Sequence, residues 1–119
     1  MTSPNPKVTV LISTYNRPDY LKDAIGSVVD QAMTNWELLV MNDGGVDVGS
    51  IVESFNDSRI QYFHREKNQG KAVCCNFGLE QARGEYIAYI DDDDRWYPCH
   101  LDLLSEALDK NPGDDVAYS

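Results

Sequence analysis

Three short runs, Lys7–Ile12, Trp36–Met41 and Tyr86–Ile90, are nearly continuous in apolar and β-branched residues. A strand with apolar side chains on both sides must be covered on both faces, which is the condition of a buried parallel sheet. Between the runs the period changes. Pro18 suits a first helical position, and Leu21, Ala24, Ile25, Val28 and Ala32 follow at helical spacing. A weaker helix is expected over Val46–Phe55, and a short strand over Ile60–Phe63. Asn68, Gln69 and Gly70 then lead into a helix with the stripe Ala72, Cys75, Leu79, Ala82, ended by Gly84. Pro98 opens a last helix carrying Leu101, Leu104 and Leu108; Asn111, Pro112 and Gly113 break it, and Val116 starts what reads as another strand. Strands alternating with helices over this length imply parallel crossovers and an α/β fold with helices on both faces of the sheet.

The 119 residues are the size of one ordinary domain, so residues 1–119 are read as a single unit that stops as a further element begins, a truncated domain. Met1 to Pro6 is a polar lead. The formal charge of −10 argues against nucleic acid, whose phosphates are bound by clustered Lys and Arg. No run is apolar and long enough to span a bilayer, and no signal peptide is visible. Cys74, Cys75 and Cys99 have neither a disulfide framework nor a zinc spacing and read as small buried apolar residues of a protein in a reducing compartment. The expected location is the cytoplasm, including the inner face of the membrane. An unfinished sheet edge invites pairing, so a homodimer is expected as well.

Four aspartates, Asp91 to Asp94, follow the third apolar run directly. Like charges at the end of a buried strand need a cation or donors to compensate them, and hard oxygen ligands favour Mg²⁺ or Mn²⁺. Mg²⁺ usually takes one or two carboxylates and completes its shell with phosphate and water, so the run points to a phosphate-bearing ligand. The plainer reading, a solvated acidic turn, is weakened by position, because open α/β sheets bind ligands at the carboxyl ends of their strands. There the loop of Thr14, Tyr15 and Asn16 would meet Asp43 and the acidic run. Asp43 can accept the N–H of a base imide, the first loop offers hydroxyl and amide groups to a base or ribose, and an Asp-x-Asp pair can hold ribose hydroxyls and a metal. Lys71, beside Gly70 at a helix start, adds positive charge where phosphate can lie.

Six segments in this order, Val10–Pro18 (VLISTYNRP), Val40–Gly45 (VMNDGG), Asn68–Gly70, Asn76–Gly78, Ala82–Ile87 (ARGEYI) and Ile90–Trp96 (IDDDDRW), resemble successive motifs of the large family of inverting glycosyltransferases with a GT-A fold. Cellulose, chitin and hyaluronan synthases belong to that family. The resemblance runs from about Lys7 to Leu108. It implies a GT-A, Rossmann-like, mostly parallel sheet, of which this chain is the N-terminal, donor-binding part. It also implies a nucleotide-sugar donor, most often a UDP-sugar, a divalent metal, Mn²⁺ or Mg²⁺, and hexosyl transfer to an acceptor in polysaccharide synthesis.

Carried over by position, Thr14, Tyr15 and Asn16 border the base and Asp43 bonds it. Asp91 and Asp93 form the Asp-x-Asp pair, with Asp93 as direct metal ligand, Asp91 as metal or ribose ligand, and Asp92 sharing either task. Ser13, Asn42, Gly45 and Cys75 depart from the family's usual residues; Cys75 stands where arginine is common, and Lys71 is placed to replace its charge. His64 and His100 read as structural. The general base of the family lies downstream, so no catalytic residue is expected within this chain, and the fragment alone is expected to be inactive. A receiver-type signalling domain, also α/β with Mg²⁺ on an acidic cluster, is the alternative; it requires acidic residues where Ser13, Thr14 and Tyr15 stand, and an aspartate where His64 and Arg65 stand.

Overall fold

The computed structural model describes residues 5–110. Four strands, β1 (Val8–Thr14), β2 (Trp36–Asn42), β3 (Ile60–His64) and β4 (Tyr86–Asp91), form one sheet in the order β3-β2-β1-β4, every pair parallel. The helices are α1 (Pro18–Val29), α2 (Gly49–Ser54), α3 (Lys71–Gln81) and α4 (His100–Lys110). The first two crossovers step the same way across the sheet, and the third steps back past both. Right-handed connections then demand that α3 lie on the face opposite α1 and α2, and it does. Val10, Ile12, Leu38, Val40 and Ile90 pack with Leu21, Ile25 and Val28 of α1, Val52 of α2 and Leu101 of α4, whereas Leu11, Leu39 and Met41 pack with Cys74 of α3.

β1 and β2 are buried along nearly their whole length, as two-sided apolar runs should be. β4 differs from expectation. Its residues alternate, with Ile87 and Tyr89 exposed, because β4 is the outer strand and α3 packs mainly over β1 and β2, with Phe77 reaching Phe63 of β3. The stripe expected on α3 is also displaced. Cys74 and Gly78 form its buried face, and Leu79 is exposed. A Cβ on Gly78 would stand 2.5 Å from Met41 Sδ, so this helix approaches the sheet through a residue that an apolar pattern does not register.

α2 is shorter than expected, because Val46 to Val48 belong to the loop leaving β2. α1 stops at Val29, short of Ala32, whose N–H donates instead to the Pro98 carbonyl; Pro98 itself precedes α4 by two residues. The break at Asn111–Gly113 and the strand expected at Val116 lie outside the described residues.

Glu37, buried on β2, accepts from Thr9 Oγ1 at 2.5 Å and from the Arg83 backbone and Nε at 2.7 and 3.1 Å. Thr9 Oγ1 in turn accepts from the Gly84 N–H at 2.8 Å. A buried carboxylate is tolerated only when bonded in this way, and the network ties the segment after α3 to the foot of the sheet. Gly84 therefore does not end α3, which stops at Gln81; it passes close over β1, where an added Cβ would lie 2.4 Å from Thr9 N. The colliding atom is backbone and has little freedom to retreat. Gly84→Ala is expected to lower the unfolding free energy by about 2 kcal/mol, read as a shifted urea midpoint; an unchanged midpoint would contradict the close approach.

Candidate functional site

In-register pairing decides which residues meet at the carboxyl end of the sheet. Thr14 lies opposite Asn42, and Ser13 opposite Asp91, so the loops after β1, β2 and β4 leave from one level. Between them and the start of α3 lies a cleft of about 580 Å³ lined by Thr14, Tyr15, Asp43, Gly70, Lys71 and Asp91 to Asp93, with Ser13, Arg17 and Asn68 completing the wall. All but one of the nucleotide- and metal-site residues expected from the sequence are on this wall.

Asn16 is the exception. Its backbone is left-handed, with φ of 54°, and its side-chain oxygen accepts the Val46 N–H at 2.8 Å. Asn16 thus ties the β1 loop to the β2 loop and is not part of the lining, whereas Tyr15 is half exposed on the wall.

Asp43 is buried, and its two oxygens accept the backbone N–H groups of Gln69 and Gly70, each at 2.9 Å. The carboxylate therefore holds the start of α3 against the end of β2. Gly70, at φ of 98° and at the N-cap of α3, supplies the backbone turn by which the chain passes from these two amides into the helix. Gly44, at φ of 84°, admits the same segment, since a Cβ there would lie 2.5 Å from the Asn68 nitrogen. A carboxylate has about four lone-pair directions, so Asp43 keeps acceptor capacity on its cleft side.

The acidic run separates into individual environments. Asp92 is buried and accepts from Thr14 Oγ1 at 2.9 Å. Asp91 projects from the end of β4 and is paired with Lys71 Nζ; that hydrogen bond holds the Lys71 ammonium above its usual range. Asp93 accepts from Arg17 Nη1 at 3.0 Å, and the same nitrogen stands 3.5 Å from Asp92. Asp94 caps the turn with its N–H on the Asp91 carbonyl and is not on the wall. Asp91 and Asp93 are both about half exposed, at 56% and 49% of their side chains, and so have oxygens free to take a further ligand.

Among the described residues no three Asp, Glu, His or Cys side chains are grouped closely enough to hold a metal by themselves. The donor set fits an ion held by one or two carboxylates with ligand and water oxygens supplying the remainder, the usual arrangement of Mg²⁺. The cleft is open at the carboxyl edge. Arg17 was not singled out from the sequence. The available signal was its place in the first motif, opposite an acidic run that needs cations.

Cys74 is buried behind Asp43, and burial, then the Asp43 charge, push its thiol up to about 11; Cys75 is half-buried and raised by burial, while Cys99, expected inside, is exposed. His64 bonds the Gly45 carbonyl and His100 stacks on Trp96.

Residues 9–119 match the family model described as glycosyl transferase family 2. TuaG of Bacillus subtilis (strain 168), whose name assigns it to teichuronic acid biosynthesis as a glycosyltransferase, is 38% identical over 111 residues, covering 91% of this chain and 44% of its own length. Staphylococcus aureus TarS 1–349 superposes with a TM-score of 0.83 at 27% identity over 89% of this chain and 33% of that one, and TarS 1–349 has also been solved with UDP-GlcNAc. A mannosyltransferase of Pyrobaculum calidifontis, solved with GDP-Man and Mn²⁺, shares the fold with a TM-score of 0.74 at 23% identity, over 83% of this chain and 31% of that one. The chain spans less than half the length of these relatives. No helix among the described residues is long and apolar enough to cross a membrane.

Asp43→Ala should remove the shared acceptor of the Gln69 and Gly70 amides, both part-buried, and lower stability by about 1–3 kcal/mol. It should also speed the reaction of Cys74 with a disulfide reagent at pH 8, where native protein is expected to react first at Cys99. A Cys74 rate that Asp43→Ala does not change would contradict the anchoring role.

Proposed function

Because the chain belongs to glycosyl transferase family 2, we propose that its carboxyl-edge cleft binds a nucleotide-diphospho-sugar, most simply a UDP-sugar, together with Mn²⁺ or Mg²⁺, as the donor-binding part of a glycosyltransferase. The observation that carries this reading is the convergence of Thr14, Asp43, Lys71 and Asp91 to Asp93 on one cleft at the ends of three parallel strands. The UDP-GlcNAc complex of TarS and the Mn²⁺ complex of the mannosyltransferase support donor class and metal.

In this reading the base enters between Tyr15 and Asp43, which accepts its N–H on the remaining lone pairs. Asp91 and Asp93 hold the metal, Asp93 directly and Asp91 together with the ribose. Asp92, tethered by Thr14, fixes the loop that presents them. Lys71 and the amino end of α3 face the diphosphate, where backbone N–H groups and the helix dipole favour anions. The metal, when bound, neutralises charge that builds up on the departing nucleoside diphosphate. The general base and the acceptor site are assigned to the part of the relatives outside the matched segment, so this chain by itself is expected to bind donor without turning it over at enzymatic rates.

Calorimetric titration with UDP and GDP, each with and without Mn²⁺, tests the reading. Binding of one nucleotide that strengthens with Mn²⁺ is expected, and Asp93→Asn or Asp91→Asn should each weaken the metal-dependent part by roughly tenfold, equivalent to about 1.4 kcal/mol. Affinity for neither nucleotide in Mn²⁺ would sink it.

A further inference from the structure

Four carboxylates line the cleft, Asp43, Asp91, Asp92 and Asp93, and two cations share it, Arg17 and Lys71. The excess of two negative charges equals the charge of one divalent ion. Both cations are already engaged. Arg17 Nη1 lies 3.0 Å from Asp93 and 3.5 Å from Asp92, and Lys71 pairs with Asp91. Two of these, Asp91 and Asp93, are the carboxylates assigned to the metal, so ion and cations compete for the same oxygens. Arg17 is half exposed on a long side chain, with 51% of the side chain accessible, and can leave Asp93 without disturbing the core. Its backbone carbonyl, which accepts the Tyr20 and Leu21 N–H groups at the start of α1, keeps its stem fixed at the rim.

Resting on the proposed function, we infer that Arg17 is an exchangeable counter-ion that couples metal to nucleotide. In the free protein it occupies Asp93 and Asp92 and opposes metal binding. Once a divalent ion holds Asp93, the guanidinium is released at the edge of the same cleft. A guanidinium without its carboxylate partner is suited to phosphate oxygens, which it meets through paired N–H donors. Metal and nucleoside diphosphate then each strengthen the binding of the other by an equal factor, as linkage requires. Lys71 answers Asp91 in the same way from the opposite wall, but as a point charge.

This assignment predicts effects of opposite sign from one substitution. Removing Arg17 takes away a competitor of the metal and a partner of the diphosphate. For Arg17→Gln, Mn²⁺ alone, followed by the loss of the free-ion paramagnetic resonance signal, should bind roughly three- to tenfold tighter, the scale of a partly exposed ion pair with two carboxylates. UDP or GDP, whichever the wild type binds, titrated in saturating Mn²⁺, should bind several-fold more weakly. Arg17→Lys should fall between wild type and Arg17→Gln in both. Lys22→Gln, which removes a positive charge from α1 outside this cleft, should change neither, and circular dichroism should show all four proteins folded.

If Arg17→Gln binds Mn²⁺ no tighter, or binds the nucleotide as well as wild type does, the coupling role is overturned while the donor site stands. If Lys22→Gln reproduces both shifts, the effect is one of net charge and the role is likewise overturned. If wild-type protein binds no nucleotide in Mn²⁺, the donor reading itself fails and takes this inference with it.

Discussion

Anionic side chains crowd one end of a parallel sheet, and the architecture around them is arranged to make that crowding bearable. Strand register sets the crowding, by pairing Thr14 with Asn42 and Ser13 with Asp91 at the carboxyl ends of the strands. Relief comes in two forms. Buried Asp43 and Asp92 are met by fixed neutral donors, the Gln69 and Gly70 amides and the Thr14 hydroxyl. Exposed Asp91 and Asp93 are met by long, movable cations. The first kind of contact builds the cleft, and the second leaves it open to exchange. Buried charges require bonded partners in every state, whereas exposed pairs are weak enough to be replaced. The division between scaffold and ligand positions falls at the end of β4: Asp91 is its last residue, and the turn that follows buries Asp92 against Thr14 while leaving Asp93 exposed.

The same contrast explains what the amino-acid pattern disclosed. β1 and β2 were legible because central parallel strands are apolar on both sides, and α1 because its stripe is made of large side chains. The order of elements and the parallel sheet follow from these. β4 has an equally apolar run but sits at the margin of the sheet, and composition does not report lateral position. On α3 the buried positions are Cys74 and Gly78, small residues chosen for close approach, so a search for large apolar side chains selects the wrong face.

Within the cleft, residue types and their order located Thr14, Asp43, Lys71 and the acidic run. Their internal hydrogen bonds were not legible, because these depend on where α3 begins relative to β2. Asp43 is a structural anchor as well as a candidate base contact, and Asn16 joins two loops through its left-handed backbone. A family motif carries both kinds of constraint in the same letters. Geometry is needed to separate them, as it is to bring Arg17 from the start of α1 to the acidic turn.

Membership of glycosyl transferase family 2 and a four-stranded parallel core agree with a donor-binding role for this part of the chain. The central claim is that a divalent ion and a diphosphate meet between the ends of β1, β4 and α3. Paramagnetic broadening of backbone amide resonances by substoichiometric Mn²⁺ in the presence of UDP or GDP tests it residue by residue. The account predicts that Gly70, Lys71 and Asp91 to Asp93 broaden first, while Glu106 to Lys110 at the far end of α4 stay sharp. Broadening spread evenly over the acidic surface, or centred away from the carboxyl ends of these strands, would contradict it.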